Sequence, residues 1–299
     1  MDGPRIAILG NCQTPLWADT LRAIAPDAEI VLVERIGKRG RTLSDSKESL
    51  DELEPDFAVI LDQVADRIES DLGQLSERTQ VVRVPNLVFN AFHPDITYLR
   101  NADGFIRSPL GSPWNSRLLM WSYQQGLSLQ EALELFSDEV FQLVGYLNAW
   151  ELATSSMRER FELNGFEFDP WISTVRRSGV FMNGINHPKP IAIAAIAYQI
   201  ARDRLGVEAM SVEASQSYLV DRLVTSSVWP VQAPIANIFG VKPSHLVKVG
   251  DRFLRWTEFA QQCYAYWTQL GIESDGVKYM PNFDARTTKQ LKAYVGITG

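Results

Sequence analysis

Four apolar runs, none alternating with polar residues, punctuate the first hundred positions: Arg5 to Leu9, Glu29 to Ile36, Phe57 to Val64 and Gln80 to Val84. Runs rich in Val and Ile without a period of two are the pattern of parallel strands covered on both faces. The polar stretches between them, at about 14–25, 45–54 and 65–77, have the length and polarity of helices. Strand and helix alternating at this spacing predict a doubly wound α/β sheet.

From about Ser116 the pattern turns helical. Ser128-Leu129-Gln130-Glu131 reads as a poor capping box with acid in the first turn. Val140, Leu143, Val144, Leu147, Trp150 and Leu152 form a helical stripe within Asp138 to Phe161. Pro190 to Leu205 is apolar nearly all round in its first turns and predicts a buried helix. Phe253, Trp256, Ala260, Cys263, Trp267 and Leu270 repeat at helical spacing. The chain carries no internal repeat and no low-complexity linker. The expectation is a single domain over 1–299, with an α/β sheet portion at 1–115 and a mainly helical portion at 116–299.

The 299 residues are 45% apolar and 22% charged, an ordinary globular composition that argues against disorder. Lys plus Arg number 29 against 36 Asp plus Glu, a formal charge of −7 that argues against nucleic acid as a partner. Two cysteines, Cys12 and Cys263, build no disulfide framework, and with three histidines they make a zinc cage a poor reading. No apolar run is long enough for a membrane span, and the first residues lack a signal-peptide core. A cytoplasmic protein without a metal is expected, its oligomeric state open.

Leu9-Gly10-Asn11-Cys12-Gln13-Thr14-Pro15 lies where the first strand hands over to the first helix. Ligands of open α/β sheets bind at the carboxyl ends of strands, so chemistry is expected here. Gly10 permits close backbone approach, and Pro15 at the first helical position makes Thr14 the expected N-cap. Cys12 then faces the N–H groups of a helix terminus, which stabilise a thiolate and offer an oxyanion site. Asn11 and Gln13 flank it as candidate substrate or oxyanion residues. Cys263, inside an apolar stripe, reads as core.

A thiol nucleophile needs an imidazole brought near by the fold. His187, stiffened by Pro188 and Pro190 and preceded by Asn186, is the first candidate. Phe92-His93-Pro94-Asp95 is a second rigid loop, offering His93 as the other base and Asp95 as a substrate ligand. An ordinary turn explains that loop equally well. Gln63, at the end of the third run, can donate its amide to an oxyanion, and His245 reads as a surface residue.

Gly-Asn-Cys-Gln after the first strand, Phe-His-Pro-Asp at 92–95 and Asn-His-Pro before a late helix together resemble the WcbI-type polysaccharide-biosynthesis family, over about Arg5 to Leu205. The resemblance implies an acetyltransferase that binds coenzyme A and O-acetylates capsular sugars. The family is in turn similar to a cysteine version of the SGNH (GDSL-type) esterases, with an SGNH- or flavodoxin-like sheet. There the nucleophile follows the first strand and the base sits in a late Asp-x-x-His loop. Cys12 stands in place of the serine, and Gly184 stands where the orienting acid would be.

Coenzyme A carries several phosphate charges, so an acidic chain must gather cations locally to hold it. One cluster, Arg35, Lys38, Arg39 and Arg41, follows the second strand; the other joins Arg176 and Arg177 to Lys189 beside His187. Acetyl-coenzyme A and a sugar acceptor are the implied substrates. Two alternatives stand beside acetyl transfer: a cysteine-dependent SGNH-like esterase, and a non-catalytic glycan-binding protein using Trp229, Trp256, Tyr264, Tyr266 and Trp267.

Overall fold

A computed structural model of the chain describes residues 3–37, 41–272 and 277–297. The opening alternation is β1 (Arg5–Gly10), α1 (Thr14–Ile24), β2 (Glu29–Arg35), α2 (Leu43–Leu53), β3 (Phe57–Leu61), α3 (Asp62–Ala65), α4 (Glu69–Leu75) and β4 (Gln80–Val84). Three further strands follow, β5 (Ile96–Asn101) and the short β6 (Gly104–Ile106) and β7 (Trp114–Ser116). The helices α5 (Arg117–Gln124), α6 (Leu129–Glu134), α7 (Asp138–Leu143), α8 (Ala149–Leu163), α9 (Phe168–Arg177), α10 (Pro190–Ile200) and α11 (Val212–Ser215) come next. The chain continues through β8 (Ser227–Val228), α12 (Ala233–Phe239), β9 (Leu246–Val249), β10 (Arg252–Arg255), α13 (Trp256–Gln269), β11 (Lys278–Met280) and α14 (Ala285–Tyr294).

These elements form two compact units, each assembled from separated segments. The first comprises Met1–Val88, Ser155–Phe181 and His187–Val224; the second comprises Phe89–Thr154, Met182–Asn186 and Thr225–Gly299.

The first unit is the predicted parallel sheet, in the order β2-β1-β3-β4. Ala7 and Leu9 of β1 register with Ala58 and Ile60 of β3, and all four pack with Leu43, Leu50, Leu72 and Leu75 of α2 and α4. Side chains alternate along a strand, so Ile6 and Ile8 line the other face. That side belongs to α1 and α10, which pack together. The uniformly apolar α10 is buried from Ala192 to Ala197, as its sequence predicts. It ends in a wider five-residue turn over Ala201–Leu205, closed by Gly206 at φ 64°.

The second unit holds two antiparallel sheets. One has the order β11-β5-β6 with β7 paired to β5, and the other is β10-β9-β8. Its core joins Trp114, Trp229, Trp256, Phe259, Cys263 and Trp267, with Tyr264 and Tyr266 packed against it. Most aromatics that suggested a glycan surface are therefore core. His245 is exposed.

Several element readings need correction. The third run ends as a strand at Leu61, and Asp62 opens a helical turn. The stripe from Asp138 to Phe161 is two helices, broken at Gly145, whose φ of 76° ordinary residues avoid. Phe253 lies in a strand, not in the helix that starts at Trp256. Ser128 and Glu131 form a complete capping box, because Glu131 falls on the third helical residue that the motif requires.

Candidate active site

The switch point of this strand order lies between β1 and β3, and Asn11, Cys12 and Gln63 follow their carboxyl ends. A Cβ on Gly10 would stand 2.6 Å from Leu61 Cδ1 and 2.9 Å from Thr14 Oγ1, so a side chain there would displace both from their packing against the turn. Asn11 organises the turn that follows. Its Oδ1 accepts the Gln13 amide at 2.9 Å, and its backbone carbonyl accepts the Thr14 amide at 3.2 Å and the Thr14 hydroxyl at 2.7 Å. The helix cap is therefore Gln13, not Thr14. Thr14 cannot cap because its hydroxyl points back into the turn, and Pro15 falls one position later than the sequence suggests.

The Asn11 Nδ2 group donates to Gln63 Oε1 and to Asn86 Oδ1, each at 2.9 Å. Asn86 Nδ2 also donates to Gln63 Oε1, at 3.3 Å. Three carboxamides from the ends of β1, β3 and β4 thus close on one another. The buried Asp62 supports them: its Oδ1 accepts the Asn86 amide at 3.1 Å and Arg160 Nη1 at 2.6 Å, and its Oδ2 accepts Asn164 Nδ2 at 3.0 Å. Gln13, also buried, donates through Nε2 to the Leu87 carbonyl at 2.8 Å and accepts the Leu87 amide at 3.4 Å. Its carboxamide clamps the chain beyond β4.

Cys12 is half-buried in this turn. Burial pushes its thiol above the ordinary value, while the nearby Arg35 charge and its own backbone N–H pull it back down. Desolvation thus works against the thiolate that the helix terminus is expected to favour. Arg35 is near because Gly10 registers with Arg35 across β1 and β2.

His187 belongs to the same unit and is buried, three residues ahead of α10. The hydrogen bonds fix which way α10 runs. The Ile24 carbonyl at the end of α1 accepts the Met210 amide at 2.8 Å, just beyond the last turn after α10. Nearer the start of α1, Asp19 pairs with Arg222, whose neighbour Asp221 faces Lys189, the cap of α10. These contacts are those of two helices that run the same way, Cys12 preceding one and His187 the other.

The cations sort themselves by the same reasoning. Glu167, before α9, exchanges hydrogen bonds with Gln199 late in α10, at 2.9 and 3.0 Å. Trp171 donates to the Ala192 carbonyl early in α10, at 2.8 Å. The α9 helix thus runs against α10, and Arg176 and Arg177 in its last turn reach the end where Lys189 and His187 lie. Lys189 is half-buried, which lowers its pKa from the ordinary lysine value, while Asp221 opposes the shift. Arg41 pairs with Glu34 at 3.1 Å. Lys38 and Arg39 lie outside the described residues.

His93, Asp95 and Asn186 belong to the second unit. Both ring nitrogens of the buried His93 face carbonyls, Nδ1 that of Pro230 and Nε2 that of Met182, each at 3.3 Å. Asp95 accepts from Ser116 Oγ, from the Leu118 amide at 2.9 Å and from the Tyr146 hydroxyl at 2.9 Å, beside Arg117. Burial outweighs these partners and lifts its carboxyl to about 6. Asn186 Nδ2 lies 3.4 Å from the Tyr98 hydroxyl. The missing acid at 184 has a steric cause, since any Cβ there would meet Trp114 Cη2 at 2.3 Å.

Sequence reasoning did not find Asp62, Asn86, Arg160 or Asn164. Asn86 carried the one usable signal, its place just after the fourth run, at a strand's carboxyl end. No group of three or more His, Cys, Asp or Glu able to hold a metal occurs among the described residues, and no described helix is long and apolar enough to cross a membrane.

No curated protein and no solved structure matches the chain in comparison. A family model does, that of the polysaccharide biosynthesis enzyme WcbI, over residues 5–210, the span that contains the carboxamide cluster, Cys12, His187 and the α9–α10 cations. With more than half of its length matched, the chain belongs to the WcbI family of polysaccharide biosynthesis enzymes.

Proposed function

We propose that this enzyme moves an acetyl group from acetyl-coenzyme A to a sugar hydroxyl, with Cys12 and His187 as the working pair. The observation that carries the reading is the packing of α1 on α10: Cys12, at the sheet's switch point, precedes one of these helices, and His187 precedes the other. The raised Cys12 thiol needs a base, and His187 is the imidazole of the same unit.

In the forward step His187 takes the Cys12 proton and the sulfur attacks the acetyl carbonyl. The carbon–sulfur bond to coenzyme A breaks, and the departing thiolate receives the proton from His187. In the second step His187 takes the proton of the sugar hydroxyl, whose oxygen attacks the Cys12 thioester; the thiol reforms and the acetate ester leaves. Both hydrogens of Asn11 Nδ2 are spent on Gln63 and Asn86, so Asn11 positions the Gln63 carboxamide, whose own –NH₂ supplies the donor for the carbonyl oxygen. Arg176, Arg177 and Lys189 suit the phosphates of the donor, collected at one end of an otherwise acidic chain.

The test is calorimetric titration with acetyl-coenzyme A, followed by mass spectrometry of the quenched complex. Binding together with an acetyl group on Cys12 is the expected result. Binding without a Cys12 adduct turns the mechanism into direct transfer with His187 as base. Absence of binding removes the acetyltransferase reading.

A further inference from the structure

Beside the carboxamide cluster the first unit carries an open cleft of about 370 Å³, between Asp62, Asp66 and Arg83 on one side and Ser156, Glu159 and Leu163 of α8 on the other. Its size falls within the range of small-molecule sites, about 300–1,000 Å³. Asp62 joins the cavity to the site: it follows β3 directly, precedes Gln63 and holds the Asn86 amide.

The chemistry of the lining selects among ligands. Three carboxylates (Asp62, Asp66, Glu159) against two guanidiniums (Arg83, Arg160) leave a formal charge of −1. Both guanidiniums are already paired, Arg83 with Asp66 and Arg160 with Asp62. Such a wall repels phosphates, which removes the acetyl donor's nucleotide end as occupant. It offers instead what a neutral polyol needs, acceptors and donors interspersed at close range. Ser156 and Glu159 are exposed along one side of α8, their side chains turned to solvent. Leu163, one turn on, is 81% exposed and gives an apolar plate amid the charges, suited to the C–H face of a sugar ring.

We infer that this cavity receives the uncharged sugar ring of the acceptor and directs its hydroxyl toward Gln63 and Cys12. The inference rests on the acetyl-transfer reading for its direction, but its binding claim is separable.

Saturation-transfer NMR with the methyl glycosides of glucose, galactose and mannose, on the full chain, tests it alongside acetyl-coenzyme A calorimetry. Ser156→Trp plugs the cavity from an exposed helix position, and Glu159→Gln removes an acceptor charge without changing shape. At least one glycoside should bind the wild type, lose about fivefold or more of its signal in Ser156→Trp and weaken in Glu159→Gln, with acetyl-coenzyme A affinity held within about twofold. No glycoside signal on the wild type, or a signal unchanged in both variants, overturns the inference. So does a loss of acetyl-coenzyme A binding in Ser156→Trp, which would make the cavity the donor's. Glycoside binding that follows the plug while the wild type ignores acetyl-coenzyme A supports the cavity and discards only the acetyl-transfer reading.

Discussion

Asn11 and Gln63 are tied by one amide hydrogen bond of 2.9 Å that spans the switch point of the sheet. Because Gln63 Oε1 also receives Asn86 Nδ2, its oxygen end is held inward by two donors. Its exposed –NH₂ must then face outward, ready to donate. Gln63→Glu keeps an acceptor for both donors and deletes the outward N–H. It should fold normally and lose about 100-fold in kcat, the usual cost of one oxyanion donor. Full kcat in this variant would remove Gln63 from the chemistry.

The two cysteines should separate cleanly. Cys12→Ala is expected to fold and to abolish transfer. Cys263→Ala, emptying a fully buried position among Phe259 and Trp267, should cost on the order of 1–2 kcal/mol in urea denaturation and spare specific activity. An active Cys12→Ala would end the nucleophile proposal.

Alkylation of the unliganded enzyme gives a pH test. Burial dominates at Cys12, so half-maximal alkylation should lie above the free-thiol value of about 8.5. Arg35→Ala removes a stabilising positive charge and should move the profile higher still. A wild-type midpoint below the free value, or no response to Arg35, would mean the thiol is less desolvated than its turn implies.

Asp95 sets a stability profile of definite sign. Its folded carboxyl titrates near 6 against an ordinary 3.8, so the folded state binds the extra proton between those values. Its contribution is complete below the ordinary value and is lost as pH rises through about 6, at most about 3 kcal/mol. Urea midpoints of the wild type and Asp95→Asn, compared from pH 4 to 7.5, should diverge in slope across that window. Parallel slopes would show that Asp95 does not titrate there.

Reversing both Arg176 and Arg177 to Glu should weaken acetyl-coenzyme A binding about tenfold at low ionic strength, with the difference shrinking as salt rises. Unaltered binding would place the phosphates elsewhere.

The buried parallel strands and the cysteine at the first strand's end were legible because burial on both faces writes continuous apolar runs. Strands such as β6, β7 and β11 were not, since three residues carry no measurable period. Cys12 and His187 could be named but not joined. The direction of α10 against α1, on which their pairing depends, is set by Met210 and Arg222 far along the chain. Asp62 and Arg160 were silent for the same reason, being 98 positions apart. Gly184 looked like a lost acid; Trp114 explains it as a packing requirement.

The discontinuous assembly of the first unit has a consequence for biosynthesis. All four strands of the parallel sheet leave the ribosome within the first 84 residues, but α10, which covers α1, ends at residue 200. At about 5–20 residues per second, several seconds pass in which Leu16, Trp17 and Leu21 have no α10 to pack against. Arg160, the counter-charge of Asp62, likewise arrives late. A nascent chain at this stage is a natural client for a holding chaperone. An N-terminal fragment cut after the sheet, however complete its strands, would remain in that condition permanently.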